Sequence, residues 1–156
     1  MAHPPRIPVL LPLEMSVVYF ITLCVDKRQR VLANTAAMKS FLSAVAKLEG
    51  KWHIHSAVLM PDHLHVIAIP FKRDARVGNL SGALKRWIRQ DLRAEWQWQP
   101  GCFDHLLRSG EYADAKWEYI RENPVRLGLV KDWKDWPYYL GIDPEQRRQA
   151  PFRLEM

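Results

Sequence analysis

Two histidines straddle one apolar residue in Met60-Pro61-Asp62-His63-Leu64-His65-Val66-Ile67, at the head of a β-branched run. A strand alternates its side chains between two faces, so His63 and His65 point one way and Leu64 the other. Neutral imidazoles are common metal ligands, but two hold an ion poorly and a third ligand must come from elsewhere. The stretch Tyr119-Ile120-Arg121-Glu122-Asn123-Pro124-Val125 offers one. On a helix Tyr119 and Asn123 are i,i+4 neighbours on a shared face. A His63, His65, Asn123 set leaves coordination positions open for water and phosphate oxygens, a mark of catalytic rather than structural sites. The Tyr119 phenol is the candidate nucleophile. With a pKa of ~10 it is weak at neutral pH, and a divalent cation and an ammonium such as Lys116 would assist it. These are the parts needed to break a phosphodiester and hold the product covalently.

Each residue also has an ordinary use. The histidines can be polar residues at a hairpin mouth, but burying two of them on a stiff strand without partners is costly. Asn123 suits a helix end before proline, a role compatible with ligation. Tyrosines usually pack, yet Ala113, Trp117 and Ile120 fill the packing face of this helix, and Tyr119 falls with Tyr112, Lys116 and Asn123. His53 and His55 form a second such pair. Placing Leu59 opposite His63 sets His55 one same-face step, ~7 Å, beyond the partner of His65, too far for shared coordination. His53 and His55 are therefore read as structural or DNA-proximal. His105, beside Asp104, is a further acid–base candidate.

The elements that must position these residues follow from pattern. Residues 1–14 form a Pro-rich arm, 15–141 a single domain and 142–156 a polar tail. Ser16–Val25 reads as a strand. Asn34 or Thr35 caps a helix to about Glu49 with Ala37, Phe41, Val45 and Leu48 as its apolar stripe, and Gly50 stops it. Trp52–Leu59 and His63–Ile69 form a hairpin across Pro61 and Asp62. A helix over Leu80–Gln97 carries Leu80, Leu84, Ile88 and Leu92 on one stripe. Lys85, Arg89 and Arg93 lie about 100° around it, a candidate phosphate-tracking stripe. Phe103–Arg108 reads as an edge strand, and Ser109 caps a third helix that Pro124 and Gly128 end. The order β-α-β-β-α-β-α with one hairpin implies an α+β sandwich, helices packed on a mainly antiparallel sheet.

Composition is consistent with that reading. The 156 residues are 48% hydrophobic and 26% charged, enough for one buried core. A formal charge of +6 favours a polyanionic partner. Two cysteines, Cys24 and Cys102, offer no disulfide framework or thiolate cluster and fit a reducing cytoplasm. Prolines 4, 5, 8 and 12 and Glu14 break any export signal, and Val17–Val25 is far short of the ~20 apolar residues of a membrane span.

The motifs resemble a known family. VLMPDHLHVIAIP is similar to the histidine–hydrophobic–histidine signature of single-tyrosine HUH transposases of the IS200-like type. YIRENPVRLGLV, followed by WPYY, is similar to the tyrosine motif of their REP-associated branch, as is FDHLLRSGE before it. The resemblance runs from about Val18 to Gly141. It implies a ferredoxin-like (RRM-like) domain with the histidine pair on a central strand. It also implies a Mg²⁺- or Mn²⁺-dependent endonuclease and strand transferase. Under it His63, His65 and Asn123 hold the metal, and Tyr119 forms a 5′-phosphotyrosine and frees a 3′-hydroxyl. Its partner would be single-stranded DNA bearing a small hairpin with a guide sequence at its foot, as in repetitive extragenic palindromes. Lys85, Arg89 and Arg93 would meet phosphates, and tail Trp or Tyr residues would stack on bases. The site would lie in the cytoplasm, at the nucleoid, in a monomer or a homodimer. Two rivals stand beside this reading: a non-cleaving hairpin-binding descendant of the family, and a zinc-dependent hydrolase.

Overall fold

The computed structural model describes residues 17–107 and 110–143. The proline-rich arm, the Ser109 cap and most of the polar tail lie outside the described residues. The main elements are β1 (Val18–Cys24), α1 (Thr35–Lys47), β2 (Trp52–Leu59), β3 (His63–Pro70), α2 (Val77–Leu92), β4 (Phe103–Leu107), α3 (Gly110–Ile120), α4 (Asn123–Arg126) and β5 (Tyr139–Leu140). One sheet has the order β4-β1-β3-β2-β5, with every neighbouring pair antiparallel. Ferredoxin-like α+β architecture is therefore present, and the histidine strand β3 is its centre.

Both faces of the sheet are covered. On one, Ile21, Leu23, Leu64 and Val66 pack against Phe41 and Ala44 of α1 and Leu80, Leu84 and Ile88 of α2. On the other, Val18, Phe20, Val58 and Ile67 meet Ala113, Trp117 and Ile120 of α3, with Trp136 alongside. Alternation along β1 and β3 accounts for this division and puts His63 and His65 on the α3 side. Asn34 caps α1 by accepting from the Ala37 amide at 2.8 Å. Gly50, at φ 83°, lets the chain leave that helix in a conformation most residues avoid.

Three expectations need correction. The two-residue turn pairs Met60 with His63 (Met60 N to His63 O, 2.8 Å), so Leu59 lies opposite Leu64 and His65 opposite Val58, not Ala57. A bulge between Ile54 and Ser56 absorbs the extra residue, which keeps Ile54 and Ala57 in the same core cluster despite their odd spacing. Helix α2 ends at Leu92, not Gln97, because Arg93 turns left-handed at φ 48° and caps it. The third helix breaks after Ile120 instead of running to Pro124. Pro124 has no amide to donate and opens the new helix α4, a position that suits proline.

Candidate functional site

The imidazoles of His63 and His65 lie edge-to-face with centroids 4.7 Å apart. Each is fixed from behind. His63 Nδ1 meets Asp62 Oδ1 at 2.7 Å, and Asp62 Oδ2 accepts from Arg28 Nε at 2.8 Å. Arg28 reaches it from a turn in which Lys27 and Arg28 both adopt positive φ, 57° and 52°, uncommon for side chains with a Cβ. His65 Nδ1 meets Thr22 Oγ1 at 2.8 Å, because Thr22 is its cross-strand partner on β1. With Nδ1 engaged in both rings, Nε2 is the nitrogen left to coordinate, the arrangement that metal-binding histidines use.

Electrostatics keep both rings neutral. Burial is the main cause of the depressed pKa of His63, with Asp62 partly opposing it. His65 falls to about 3, through burial first and then the charges of His63, Lys116, Arg126 and Arg28. A neutral imidazole has a lone pair to give at physiological pH.

The tyrosine helix stands over this pair. Ala113, Trp117 and Ile120 are fully buried and turn Tyr119 outward, 59% exposed. His65 packs edge-on to Phe20 (5.2 Å between centroids), and Lys116 Nζ sits 4.4 Å above the Phe20 ring and 5.2 Å from the Tyr119 ring. A continuous contact path thus links the strand histidines to the phenol. Asn123 no longer shares one unbroken helix with Tyr119, but Arg126 joins them. Its Nη2 donates to the Tyr119 carbonyl at 2.7 Å and to Asn123 Oδ1, and its guanidinium lies 4.2 Å from the Tyr119 centroid.

The two imidazoles are by themselves an incomplete ligand set. Among the described residues no three His, Cys, Asp or Glu side chains gather to hold an ion, so any third protein ligand must be of another type. The Asn123 carboxamide oxygen is a hard donor of such a type, and here it accepts from Arg126. His53 is exposed on β2, while His55 turns to Asp114 on α3 (Nε2 to Oδ1, 2.9 Å) and to buried Ser56 (Nδ1 to Oγ, 2.8 Å). The bulge at this point aims His55 at the helix, where it ties α3 to the sheet. His105 lies across β1 on the same face, its ring 6.5 Å from that of Phe20.

The helix α2 stripe sits on the opposite face. Lys85 Nζ donates to the carbonyls of Gln99 (2.8 Å) and Gly101, and burial lowers its pKa. Arg89 donates to Trp96 O (2.9 Å) and Ala94 O (3.2 Å). These two cations hold the returning chain against the end of α2, and Arg93 is the exposed member. With Arg86 and Trp98 they line an open cleft of about 530 Å³. The tail aromatics pack among themselves and on α3, Trp133 against Trp117 and Tyr139, and Trp136 against Tyr138 with its indole N–H on Leu59 O, while Trp133, Tyr138 and Tyr139 stay half-buried.

Thr22, Asp62, Arg28 and Arg126 escaped the sequence reading. Asp62 adjoins His63, and Arg126 falls three residues after Asn123 and seven after Tyr119, so both carried a visible signal. Thr22 needed the β1–β3 pairing to be known.

No family model matches the chain. It is 25% identical to the REP-associated tyrosine transposase of Escherichia coli K12, over 72% of this chain and 68% of that protein. It is 27% identical to a Haemophilus influenzae protein provisionally given the same name, over 77% of each. Among solved structures it is similar to a REP-associated tyrosine transposase bound to a REP hairpin, with TM-score 0.76, 23% identity, and 97% of this chain and 89% of that one covered. A provisionally named transposase of Deinococcus radiodurans R1 shares the fold at TM-score 0.50 and 19% identity, covering 78% of this chain and 97% of its own.

Proposed function

We infer that this chain is a REP-associated tyrosine transposase, like the relatives it resembles, and that it cuts and rejoins single-stranded DNA beside small hairpins through a covalent 5′-phosphotyrosine. The observation that carries the reading is the contact path His65–Phe20–Lys116–Tyr119, which links an exposed tyrosine to two oriented, neutral imidazoles. In the reaction Tyr119 Oη bonds to the scissile phosphorus and loses its proton. The bond from phosphorus to the 3′-oxygen breaks, and that oxygen leaves with the electron pair and takes up a proton. The reverse step, by the same or another 3′-hydroxyl, joins DNA and restores the phenol.

His63, His65 and Asn123 would hold Mg²⁺ or Mn²⁺, which when bound supplies Lewis-acid polarisation of the phosphoryl oxygens. Asp62 and Thr22 keep the imidazoles aimed. Lys116 and Arg126 set two positive charges beside the phenol, where negative charge gathers as the phosphate approaches. The net charge of +6 suits the polyanion, and a hairpin partner is the class bound by the solved relative.

The test is an incubation with single-stranded hairpins of varied flanks and Mn²⁺. The protein should form an SDS-stable DNA adduct. Tyr119→Phe should bind DNA as before and give neither adduct nor cleavage; undiminished cleavage by that variant would overturn the assignment.

A further inference from the structure

The guanidinium of Arg126 is used oddly. Among the described residues only its Nη2 makes hydrogen bonds, and one goes to Asn123 Oδ1, the oxygen that the proposed function gives to the metal. The other, to the Tyr119 carbonyl, and the stacking on the Tyr119 ring keep the group beside the nucleophile whatever Asn123 does. Arg126 is exposed, and its remaining edge is a planar fork of the shape that matches a phosphate. Its charge reaches the histidine pair, since it is among the groups acting on His65.

We propose that Arg126 binds the scissile phosphate, and that Asn123 holds it in reserve until a divalent cation takes the Asn123 oxygen. The proposal rests on the reading of Asn123 as a metal ligand. Its physical core is a conflict of charge: a monovalent guanidinium and a dication competing for one carboxamide oxygen repel each other at contact distance, even where the guanidinium is exposed. Arrival of the ion therefore loosens the Arg126–Asn123 bond. The Tyr119 carbonyl remains as anchor, and the freed fork swings onto a phosphate oxygen next to the phenol. Metal and DNA then bind cooperatively, and linkage makes the effect reciprocal.

The experiment uses the full chain carrying Tyr119→Phe, which cannot cleave. Mn²⁺ affinity is measured by calorimetry without DNA, and affinity for a hairpin with its single-stranded flank is measured with and without Mn²⁺. Adding Arg126→Ala should tighten Mn²⁺ on the order of tenfold, because the competing charge is gone. The same change should abolish most of the tightening of DNA that Mn²⁺ produces, and Arg126→Lys should restore part of it. Unchanged Mn²⁺ affinity and unchanged metal–DNA linkage in Arg126→Ala would overturn the proposal. Asn123→Ala separates the failures. Normal Mn²⁺ affinity in that variant removes the ligand reading and the proposal with it. Weakened Mn²⁺ binding there, beside parental behaviour in Arg126→Ala, removes the proposal alone.

Discussion

The two faces of the sheet use positive charge in opposite ways. On the α2 side Lys85 and Arg89 are turned onto backbone carbonyls, so their charge closes a helix end and a returning loop. On the α3 side Lys116 and Arg126 lie on the rings of Phe20 and Tyr119, and their field is felt by His65. The larger buried cluster lies on the α1–α2 side. The row between the helices and the strands also differs: on one face it is hydrophobic, aliphatic and aromatic together, whereas on the other it carries Thr22, His63 and His65. A basic residue is thus structural where it is turned wholly onto backbone carbonyls, and available for chemistry where it lies on an aromatic ring with part of its donor edge exposed.

The largest test of this contrast removes the imidazoles. His63→Ala or His65→Ala should each lose on the order of 10³-fold in cleavage rate, the several kcal/mol that a metal contributes to the transition state. Asn123→Ala should lose less, because water can replace one oxygen ligand. A chelator should stop cutting and leave DNA bound at the weaker, metal-free affinity. Wild-type rates in all three variants would dismiss the triad. Leu84→Ala, in the hydrophobic layer opposite, should cost about 2–5 kcal/mol of stability, read by denaturant unfolding. At a temperature where it stays folded, its cleavage rate should be unchanged; a matching loss of rate would mean that the two faces are not separable.

A smaller effect is set by pH. His65 titrates near 6.5 in the unfolded chain and at about 3 in the fold. Between those values the unfolded state binds the extra proton, so the stability from a neutral His65 is full above pH 6.5 and drains away as pH falls toward 3. His63, shifted the same way, adds to the slope. Melting temperatures between pH 7 and pH 4 should show this fall, and His65→Gln should make it shallower; identical slopes would contradict the burial argument. The smallest expected change is on α2. Arg93→Ala should flatten the salt dependence of DNA binding by roughly 0.7–0.9 of a log-log unit if it meets one phosphate. Removing Lys85, Arg89 and Arg93 together should add mainly instability, because two of them bind carbonyls. Unchanged affinity and slope in the triple variant would leave the stripe with no part in DNA binding.

Local rules made much of this legible. A period of two is enough to put His63 and His65 on one face, whatever the rest of the chain does. Asn34 declares the start of α1 by its side chain, and Ala113, Trp117 and Ile120 declare which side of α3 is buried, which in turn exposes Tyr119. The stop of α2 at Leu92 was less legible, since a left-handed Arg93 is unusual and depends on the carbonyl contacts that Arg89 and Lys85 make downstream.

The sequence by itself determined the paired histidines, the hairpin that carries them, the outward tyrosine and the basic balance, because each depends on near neighbours or on counting charges. Only the tertiary structure decided the rest. Thr22 reaches His65 because β1 lies beside β3, forty-three residues away. The bulge at His55 exists to reconcile a two-residue turn with two halves of β2 that must bury the same face. Likewise Lys85 and Arg126 differ in role through what lies opposite them, carbonyls in one case and an aromatic ring with an amide oxygen in the other. A charged side chain is long enough to serve either, and its partner is chosen by packing between distant segments that no local pattern encodes.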